Sequence, residues 1–294
     1  MFKKLFLFLF VSFFAVNSFG QTIDPLDKMP ILEKSPNDML AGAVPVEQRG
    51  EEFRKYLATS VKISVTSGSG SGTIIYYDRE KNLAYVASCG HLWPQGVMTY
   101  EDGKKRNLEC VITTWYHNQK KLQEPENYTA KVLMYSHLSA ADISLVVFSP
   151  NWEPIYFPVA PLNYTYDNNK LLHSLGCDGG DEVAHYSVQP LGLIGGELAT
   201  FRNSPRPGRS GGGLIDDYGW FVGVCRATQF KDGSGKGFFT ALPVIHKFYS
   251  SQKFDFLLNI EPLGVAARKI PIMDKRSNQG YYQSEYILIP GLEP

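Results

Sequence analysis

Residues 206–216 read Arg-Pro-Gly-Arg-Ser-Gly-Gly-Gly-Leu-Ile-Asp, and this stretch decides the fold we expect for the chain. It places Ser210 among four glycines and follows them at once with apolar residues typical of a β-strand. Glycines accept positive φ angles and let the backbone approach a ligand closely. A serine on such a turn can present its hydroxyl to a substrate, with neighbouring backbone N–H groups aimed at the same point. Acyl transfer requires both features, a nucleophile and an oxyanion hole.

The hydroxyl of Ser210 needs a base, because an unassisted alcohol barely ionises at neutral pH. His91 lies upstream in Ser-Cys-Gly-His-Leu (88–92), and Asp142 lies in Ala-Asp-Ile-Ser-Leu (141–145). In a triad, His91 takes the proton from Ser210, and Asp142 accepts the other ring N–H and stabilises the imidazolium. The order His, Asp, Ser along the chain therefore predicts a nucleophilic serine at position 210.

The turn around the serine also predicts an oxyanion hole. The backbone N–H groups of Gly208 and Ser210 would form it, with the amide of Arg209 on the same turn. A serine in a glycine-rich run is by itself more often part of a flexible turn, so the prediction depends on His91 and Asp142 as partners.

Five segments in one order resemble the trypsin-like (chymotrypsin-fold) serine proteases, and most closely the bacterial HtrA/Deg-type protease domain. They are residues 68–75, 85–91, 142–147, 207–214 and 237–243. The resemblance extends over about residues 51–250 and implies the roles given above for His91, Asp142 and Ser210. Arg209 stands where HtrA-type proteases usually carry Asn. The 44 residues after position 250 are too few for the PDZ domain that often follows in that family.

Short apolar runs separated by turns rich in glycine and proline fill the same region, as in a barrel or a sandwich. With the resemblance, they predict an all-β fold of two six-stranded antiparallel β-barrels, at about residues 60–150 and 167–243. Short helices are predicted before the barrels, at 48–58, and after them, from 244 to 250. The protease domain would span residues 47–250, with its active site in the cleft between the barrels.

The two ends of the sequence differ from this region. Residues 1–20 combine two lysines, an apolar run and small residues before position 21, as a secretory signal peptide does. Residues 21–46 predict an extended lead segment, and residues 251–294 a C-terminal extension without an assigned role. We therefore expect an exported protein, periplasmic or secreted, with no stable membrane insertion after signal cleavage; an uncut N-terminal anchor is the alternative.

Charge and ligand spacing argue against other classes of function. The formal net charge is zero, from 29 basic and 29 acidic residues, so nothing favours binding to nucleic acid. The sequence has no Cys-x-x-Cys pair, and its histidines other than His91 lack ligand spacing, so we expect no metal site. The expected partner is a polypeptide substrate, and no cofactor is expected.

Four cysteines, Cys89, Cys110, Cys177 and Cys225, allow three disulfide pairings in an oxidising compartment. Cys89 with Cys110 would join strands of the first half, and Cys177 with Cys225 strands of the second. The resemblance points the other way, because HtrA-type domains usually lack disulfides.

The resemblance also implies a substrate pocket formed by residues before the serine and by the strand after it. Ser204, Val224, Cys225 and Arg226 occupy these positions. Ser204 falls where trypsin carries aspartate, so cleavage after lysine or arginine is not favoured. These four residues are compatible with a substrate that has either a small apolar or an acidic side chain before the cleaved bond.

Together these features predict an exported serine endopeptidase that hydrolyses peptide bonds through an acyl-enzyme on Ser210. A catalytically silent homologue that binds a peptide or protein in the same cleft is the alternative. An esterase with the same triad is a further one, although the β-rich pattern disfavours an α/β-hydrolase, whose chain order is Ser, Asp, His.

Overall fold

The first half of the chain forms a closed antiparallel barrel. A computed structural model describes residues 51–98, 108–115, 124–180, 183–201, 203–230 and 235–260. The strands of the first half are β1 Ser60–Val65, β2 Gly68–Asp78, β3 Leu83–Ser88, β4 Val97–Met98, β5 Glu109–Thr114, β6 Glu126–Ser136 and β7 Ile143–Phe148. Their order is β4-β6-β5-β1-β2-β3-β7, and β6 also pairs with β7. This pairing closes six strands into a barrel, with the two-residue β4 at its side.

The second half forms another closed barrel of six strands. They are β8 Leu172–Cys177, β9 Val183–Ile194, β10 Glu197–Phe201, β11 Gly213–Ile215, β12 Phe221–Thr228 and β13 Lys236–Ala241. They close in the order β10-β13-β12-β11-β8-β9. The structure thus confirms the predicted all-β fold of two six-stranded antiparallel barrels.

Two short helices flank the barrels, as predicted. Helix α1 spans Glu51–Ala58 and buries Tyr56 and Leu57, and helix α2 spans Leu242–Ser251 with proline in its first turn. Proline suits that place because its missing N–H has no partner within the helix there. Among the described residues, no helix is both long enough and apolar enough to cross a membrane.

One apolar core joins the two barrels. It contains Ile75 and Leu145 from the first barrel and Leu175 and Leu214 from the second, all fully buried. The connecting segment is bonded to both sides. The N–H of Phe157 donates to the Ile74 carbonyl (3.1 Å), and that of Ala160 donates to the Phe221 carbonyl (2.9 Å). The connecting segment is therefore attached to both barrels.

Strand β9 is longer than the sequence pattern indicates. The pattern predicts separate strands at 184–188 and 191–194, because Pro190 cannot donate to a sheet. In the structure one strand runs through Pro190, which lies opposite Thr200 where the pairing with β10 shifts by a β-bulge. Bulges are among the places in a sheet where proline is tolerated.

All four cysteines are free and buried, so the disulfide pairings considered from sequence are wrong. Strands β3 and β5 are separated by two other strands in either direction around the first barrel, so Cys89 and Cys110 are not neighbours. In the second barrel, β11 lies between the strands that carry Cys177 and Cys225. Topology therefore separates both pairs.

Several predictions lie outside the described residues. They are the signal peptide (1–20), the lead segment (21–46) and the part of the C-terminal extension that follows residue 260. Residues 251–260 are described, and they contain a 3₁₀ turn at Asp255–Leu258.

Candidate active site

The pairing of β3 with β7 brings His91 and Asp142 together. Ser88, the last residue of β3, lies opposite Ser144 near the start of β7. Residues 89–91, which follow β3, therefore lie beside Asp142, which directly precedes β7. The hydroxyl of Ser144 donates to the carbonyl of Cys89 (2.9 Å) and joins the two segments. An antiparallel register thus produces a contact between residues 51 positions apart.

Asp142 is a fully buried carboxylate with several donors. Its two oxygens lie 3.0 Å from Nδ1 of His91, and the backbone N–H groups of Gly90 and His91 both donate to Oδ1 at 2.9 Å. A buried carboxylate requires such donors, because it has lost its water. Gly90 is needed for the close approach, since a Cβ there would overlap the carbonyl of Ser136. The arrangement puts the proton of a neutral His91 on Nδ1 and leaves Nε2 as an acceptor.

Opposing effects act on the protonation of His91. Burial disfavours the charged ring, but the hydrogen bonds with Asp142 and Cys89 outweigh it and raise the pKa of His91 above its ordinary value of 6.5. The side chain remains 24% exposed, so protons and ligands can reach it. We infer that the neutral form of His91, which is the base, becomes dominant only above the pH range in which histidine usually loses its proton.

The second ring nitrogen of His91 faces a thiol. Cys89 Sγ lies 3.7 Å from Nε2, and Cys89 itself is fully buried. Burial raises the pKa of this thiol, against the hydrogen bond with His91, which lowers it. The sequence marks Cys89 only as a possible disulfide partner, whereas the structure places it in contact with the atom that would act as the base.

Arg226 lies beside the carboxylate of Asp142. Its Nε is 3.6 Å from Oδ2 of Asp142, its Nη1 is paired with Glu197, and its Nη2 donates to the carbonyl of Leu138 (2.8 Å). The side chain is 23% exposed. The resemblance implies a pocket residue here, but the observed contacts place its charge next to the His91–Asp142 pair.

The loop that carries Ser210 packs against the end of β3. The carbonyl of Ser210 accepts a hydrogen bond from the N–H of Ser71 (2.7 Å), and the N–H of Gly211 donates to the carbonyl of Cys225 (2.8 Å). Gly211 has φ 87, and a Cβ there would overlap the carbonyl of Ser71 and lie 2.8 Å from the backbone nitrogen of Cys89. Glycine at 211 therefore allows the serine loop to lie directly on the segment that leads to the histidine.

Ser210 is half-buried, and the hydrogen bonds of the described residues do not join its Oγ to His91. Among the hydrogen bonds of the described residues, none is donated by the backbone N–H groups of Gly208 and Ser210. The Arg209 amide donates to the carbonyl of Arg206 (3.1 Å). The N–H groups of Gly208 and Ser210 thus make no hydrogen bond within the described residues, and that of Arg209 is used within the turn.

A hydrogen-bonded clamp holds the loop before the serine. Ser71 Oγ donates to the Gly208 carbonyl (2.8 Å) and accepts from the N–H of Cys177 (2.8 Å). The N–H of Gly179 donates to the Pro207 carbonyl (2.6 Å). The clamp connects β2 of the first barrel with the end of β8 in the second, so the loop geometry depends on both barrels.

The side chain of Arg209 is 1% exposed and lies beneath this loop. Its Nε donates to Oδ1 of Asp178 (2.8 Å), and its Nη1 donates to the carbonyl of Ser174 (3.0 Å). The guanidinium carbon lies 4.2 Å from the ring centre of Tyr186, whose hydroxyl donates to Oδ2 of Asp178 (2.9 Å). A buried cation with a counterion and an aromatic face therefore anchors the residue before Ser210.

Comparison with solved structures identifies the architecture. The serine endoprotease from Yersinia pestis has a TM-score of 0.50 at 15% identity, over 71% of this chain and 65% of that protein. Rv3671c from M. tuberculosis H37Rv, in an inactive serine-to-alanine form, has a TM-score of 0.53 at 16% identity, over 76% and 97%. Human heparin binding protein has a TM-score of 0.50 at 14% identity, over 71% and 95%.

This chain has the trypsin-like fold. No family model and no curated protein matches the sequence. The chain spans about two-thirds of the length of the Yersinia enzyme, and all three identities are low, so the likeness concerns the fold.

Within the trypsin-like fold, most of the residues predicted for the substrate pocket lie in the core. Val224 and Cys225 are at most 1% exposed, because both faces of β12 are covered where they lie. Ser204 is also buried, and its hydroxyl donates to the carbonyl of Gly235 (2.5 Å). Arg226, with 23% of its side chain exposed, is the member of the set that reaches the surface.

A buried histidine pair lies elsewhere in the trypsin-like fold, against helix α1. His173 Nδ1 and His185 Nε2 are 2.7 Å apart, and His173 Nε2 is 2.8 Å from Oδ1 of Asp217. The ring of Tyr56 stacks on both imidazoles, with centroids 4.3 and 5.5 Å away. The contacts connect α1 to the second barrel, which agrees with a structural role for these two histidines.

Proposed function

We propose that this chain is an exported serine endopeptidase whose substrate is a polypeptide and whose nucleophile is Ser210. The observation that carries the proposal is the contact of His91 Nδ1 with both oxygens of the buried Asp142, at 3.0 Å. The serine loop supports it, because Gly211 packs on the segment that leads to that histidine.

In the first step, Ser210 Oγ attacks the carbonyl carbon of the scissile peptide bond and its proton passes to Nε2 of His91. Asp142 holds the ring through Nδ1 and stabilises the imidazolium that forms. Cys89 Sγ lies 3.7 Å from Nε2 in the structure, and this step requires Ser210 Oγ to come within hydrogen-bonding distance of the same nitrogen.

The N–H groups of Gly208 and Ser210 stabilise the negative charge that develops on the carbonyl oxygen. Loss of one such donor typically lowers the rate by about 100- to 1000-fold. His91 then gives its proton to the leaving amine, which departs and leaves an acyl group on Ser210. A water molecule attacks this ester, with His91 as base, and restores the free hydroxyl.

Labelling with a fluorophosphonate probe tests the proposal directly. The probe forms a bond to an activated serine oxygen, so the mature chain is expected to be labelled, and Ser210→Ala and His91→Ala are expected to lose at least 99% of the rate, on the order of a hundredfold or more for a triad member. Ser149→Ala, at an exposed serine outside the site, serves as the matched control. Labelling of the Ser210→Ala variant at the wild-type rate would contradict the assignment.

A catalytically silent homologue that binds a peptide or protein in the cleft is a second candidate. It is favoured by the contact of Nε2 with Cys89 and by the lack of a described hydrogen bond between Ser210 and His91. This candidate predicts no labelling under any condition, together with saturable binding of a peptide to the wild type and to Ser210→Ala with equal affinity.

The proposed export rests on residues 1–20, whose pattern is that of a signal peptide. Expression of the full chain in a bacterium is expected to give a mature protein that begins at Gln21 and is released with the periplasmic fraction or the medium. Intact-mass measurement of the purified protein reads the start directly. A retained first segment of 20 residues would favour the uncut anchor instead.

A further inference from the structure

The outer face of the first barrel carries an apolar layer that the end of the described chain covers only in part. Tyr85 of β3 and Val147 of β7 face away from the barrel interior, since the chain neighbours of each belong to the core inside the barrel. The segment after helix α2 covers this layer with the buried side chain of Phe254. Leu83 and Leu133 pack against the same layer but are only partly buried.

A groove remains open beside this cover. Its walls are the four barrel residues just named together with Phe254 and Phe256, and its volume is about 360 Å³, near the lower end of the range for ligand pockets. Phe256 is 44% exposed, although its ring lies edge-on to that of Tyr85 with centroids 5.5 Å apart. Adjoining apolar side chains that stay exposed mark a surface suited to binding another apolar segment.

The described chain ends close to this groove. Lys253, just after α2, has φ 63, and the N–H of Phe254 donates to the carbonyl of Tyr249 (3.0 Å), as in a Schellman motif. This turn directs the chain onto the barrel, through Phe256 in the groove wall and on to Ile260. Four residues extend over at most about 14 Å, so the rest of the chain starts within that distance of Phe256.

Residues 261–294 contain a segment whose chemistry matches the groove. Positions 286–289 read Tyr-Ile-Leu-Ile, four large apolar residues in a row, and Glu285 precedes them. Lys253 is the only charged residue of the groove lining, so the charges are complementary. A flexible connection as long as residues 261–285 has a root-mean-square span of about 25–30 Å, which is enough to return to the groove. Attachment to the same chain also gives such a segment an effective concentration of about a millimolar.

We propose that residues 286–289 bind in this groove of their own chain and cover Leu83 and Phe256. Removal of apolar surface from water is the driving force. Glu285 then lies near Lys253, and this attraction adds a smaller contribution because Lys253 is exposed. The interaction does not depend on the proposed peptidase activity.

Photocrosslinking in the full mature chain tests where the tail binds. The Ser210→Ala variant is used so that the chain cannot cleave itself, and its intact mass verifies that it ends at Pro294. With p-benzoylphenylalanine in place of Tyr286, crosslinks are expected within one chain, to peptides from β3 or β6. The same probe in place of Asn278, in the connection, is the control and is expected not to react with these peptides.

Groove variants test whether the contact is the proposed one. Leu83→Glu puts a charge into the apolar wall and is expected to lower the crosslink yield at least about fivefold. Leu162→Glu, at a leucine that is 61% exposed and outside the groove, is expected to leave the yield unchanged. Lys253→Glu is expected to lower the yield about twofold, and Glu285→Lys in the same chain to restore it. If Leu83→Glu does not fold by circular dichroism, this exchange of exposed charges still decides.

Three results would overturn the proposal. One is a yield that is the same in Leu83→Glu and Lys253→Glu as in their parent. Another is a crosslink that joins two chains, which would assign the groove to the tail of a second copy. The third is reaction of the tail probe only outside the groove, or not at all, which would leave the groove to another occupant such as residues 21–46. None of these results depends on fluorophosphonate labelling, so failure of this proposal is distinct from failure of the proposed function.

Discussion

Arg226 Nε lies 3.6 Å from Oδ2 of Asp142, so the carboxylate that holds His91 also faces a positive charge. That charge is held in place by Glu197 and by the carbonyl of Leu138. A nearby cation weakens the attraction of Asp142 for a proton on His91. We therefore expect Arg226 to act on the base through the carboxylate, as a positioning residue.

Replacement of Arg226 should change the pH dependence of labelling. In Arg226→Gln no positive charge offsets the negative charge of Asp142, so the pKa of His91 rises further. A smaller fraction of His91 is then neutral near pH 7. We expect the labelling rate at pH 7 to fall by about three- to tenfold and to recover at higher pH. Rates measured from pH 5 to 10 check this, with Arg226→Lys as the variant that keeps the charge. An unchanged profile for Arg226→Gln would show that the cation does not act on His91.

The raised pKa of His91 predicts an alkaline profile for the wild type. The neutral imidazole is the base, and hydrogen bonds with Asp142 and Cys89 favour the charged form despite burial. The labelling rate should therefore increase with pH, with its midpoint between the ordinary value of 6.5 and about 10. A midpoint at or below 6.5 is the result that contradicts this expectation.

The same shift has a consequence for stability. A group whose pKa is higher in the folded state stabilises the fold fully below its unfolded value and loses this contribution as pH rises through its folded value. The free energy of unfolding should thus contain a His91 contribution that is present below pH 6.5 and declines above it. Urea unfolding at pH 6 and pH 9 measures it, and in His91→Ala the difference between the two values should shrink.

The buried pair of Arg209 and Asp178 predicts an unequal effect of two substitutions. Asp178→Asn leaves a guanidinium that is 1% exposed without its counterion, and we expect the free energy of unfolding to fall by about 3 kcal/mol. Arg209→Met removes the charge itself and should be less destabilising. Urea denaturation of both variants and of the double variant checks this. A double variant no more stable than Asp178→Asn alone would argue against an unpaired buried charge as the cause.

Gly211 and Gly196 allow a matched test of the serine loop. Their φ angles are 87 and 86, so alanine at either position meets similar backbone strain, of about 1–2 kcal/mol. At Gly196 an added Cβ meets open space, whereas at Gly211 it would overlap Ser71 and Ser88. We expect Gly211→Ala to lose labelling and Gly196→Ala to retain it. Equal labelling of the two variants would mean that the loop does not need its close contact with β2 and β3.

Much of the fold could be predicted from the sequence because it rests on local patterns. Alternating and apolar runs such as Ile143–Phe148 mark strands, and proline in the first turn of α2 fits a helix start. The placement of His91 after one strand and Asp142 before another was also visible, since each lies next to its strand in the chain. Their contact then followed from one antiparallel register.

Other features of the site could not be predicted, because they depend on contacts across the fold. Arg209 in sequence is a charged residue in a glycine-rich turn, a setting typical of the surface. It is nevertheless buried, because Asp178 from the turn after β8 and Tyr186 from β9 pack against it. The burial of Val224 and Cys225 likewise depends on other segments, since they cover both faces of β12 at that point.

The sequence by itself determined that the chain builds two β-barrels and carries a histidine, an aspartate and a serine in the order of a triad. Strand periodicity, turn glycines and position relative to a strand end are properties of neighbouring residues. Only the tertiary structure decided what surrounds His91. Asp142 holds one nitrogen and Cys89 faces the other, while Arg226 reaches the carboxylate from the second barrel. The physical reason is that the charge and the hydrogen bonds felt by a buried ring come from whichever segments fold against it, and the arrangement of the barrels selects those segments.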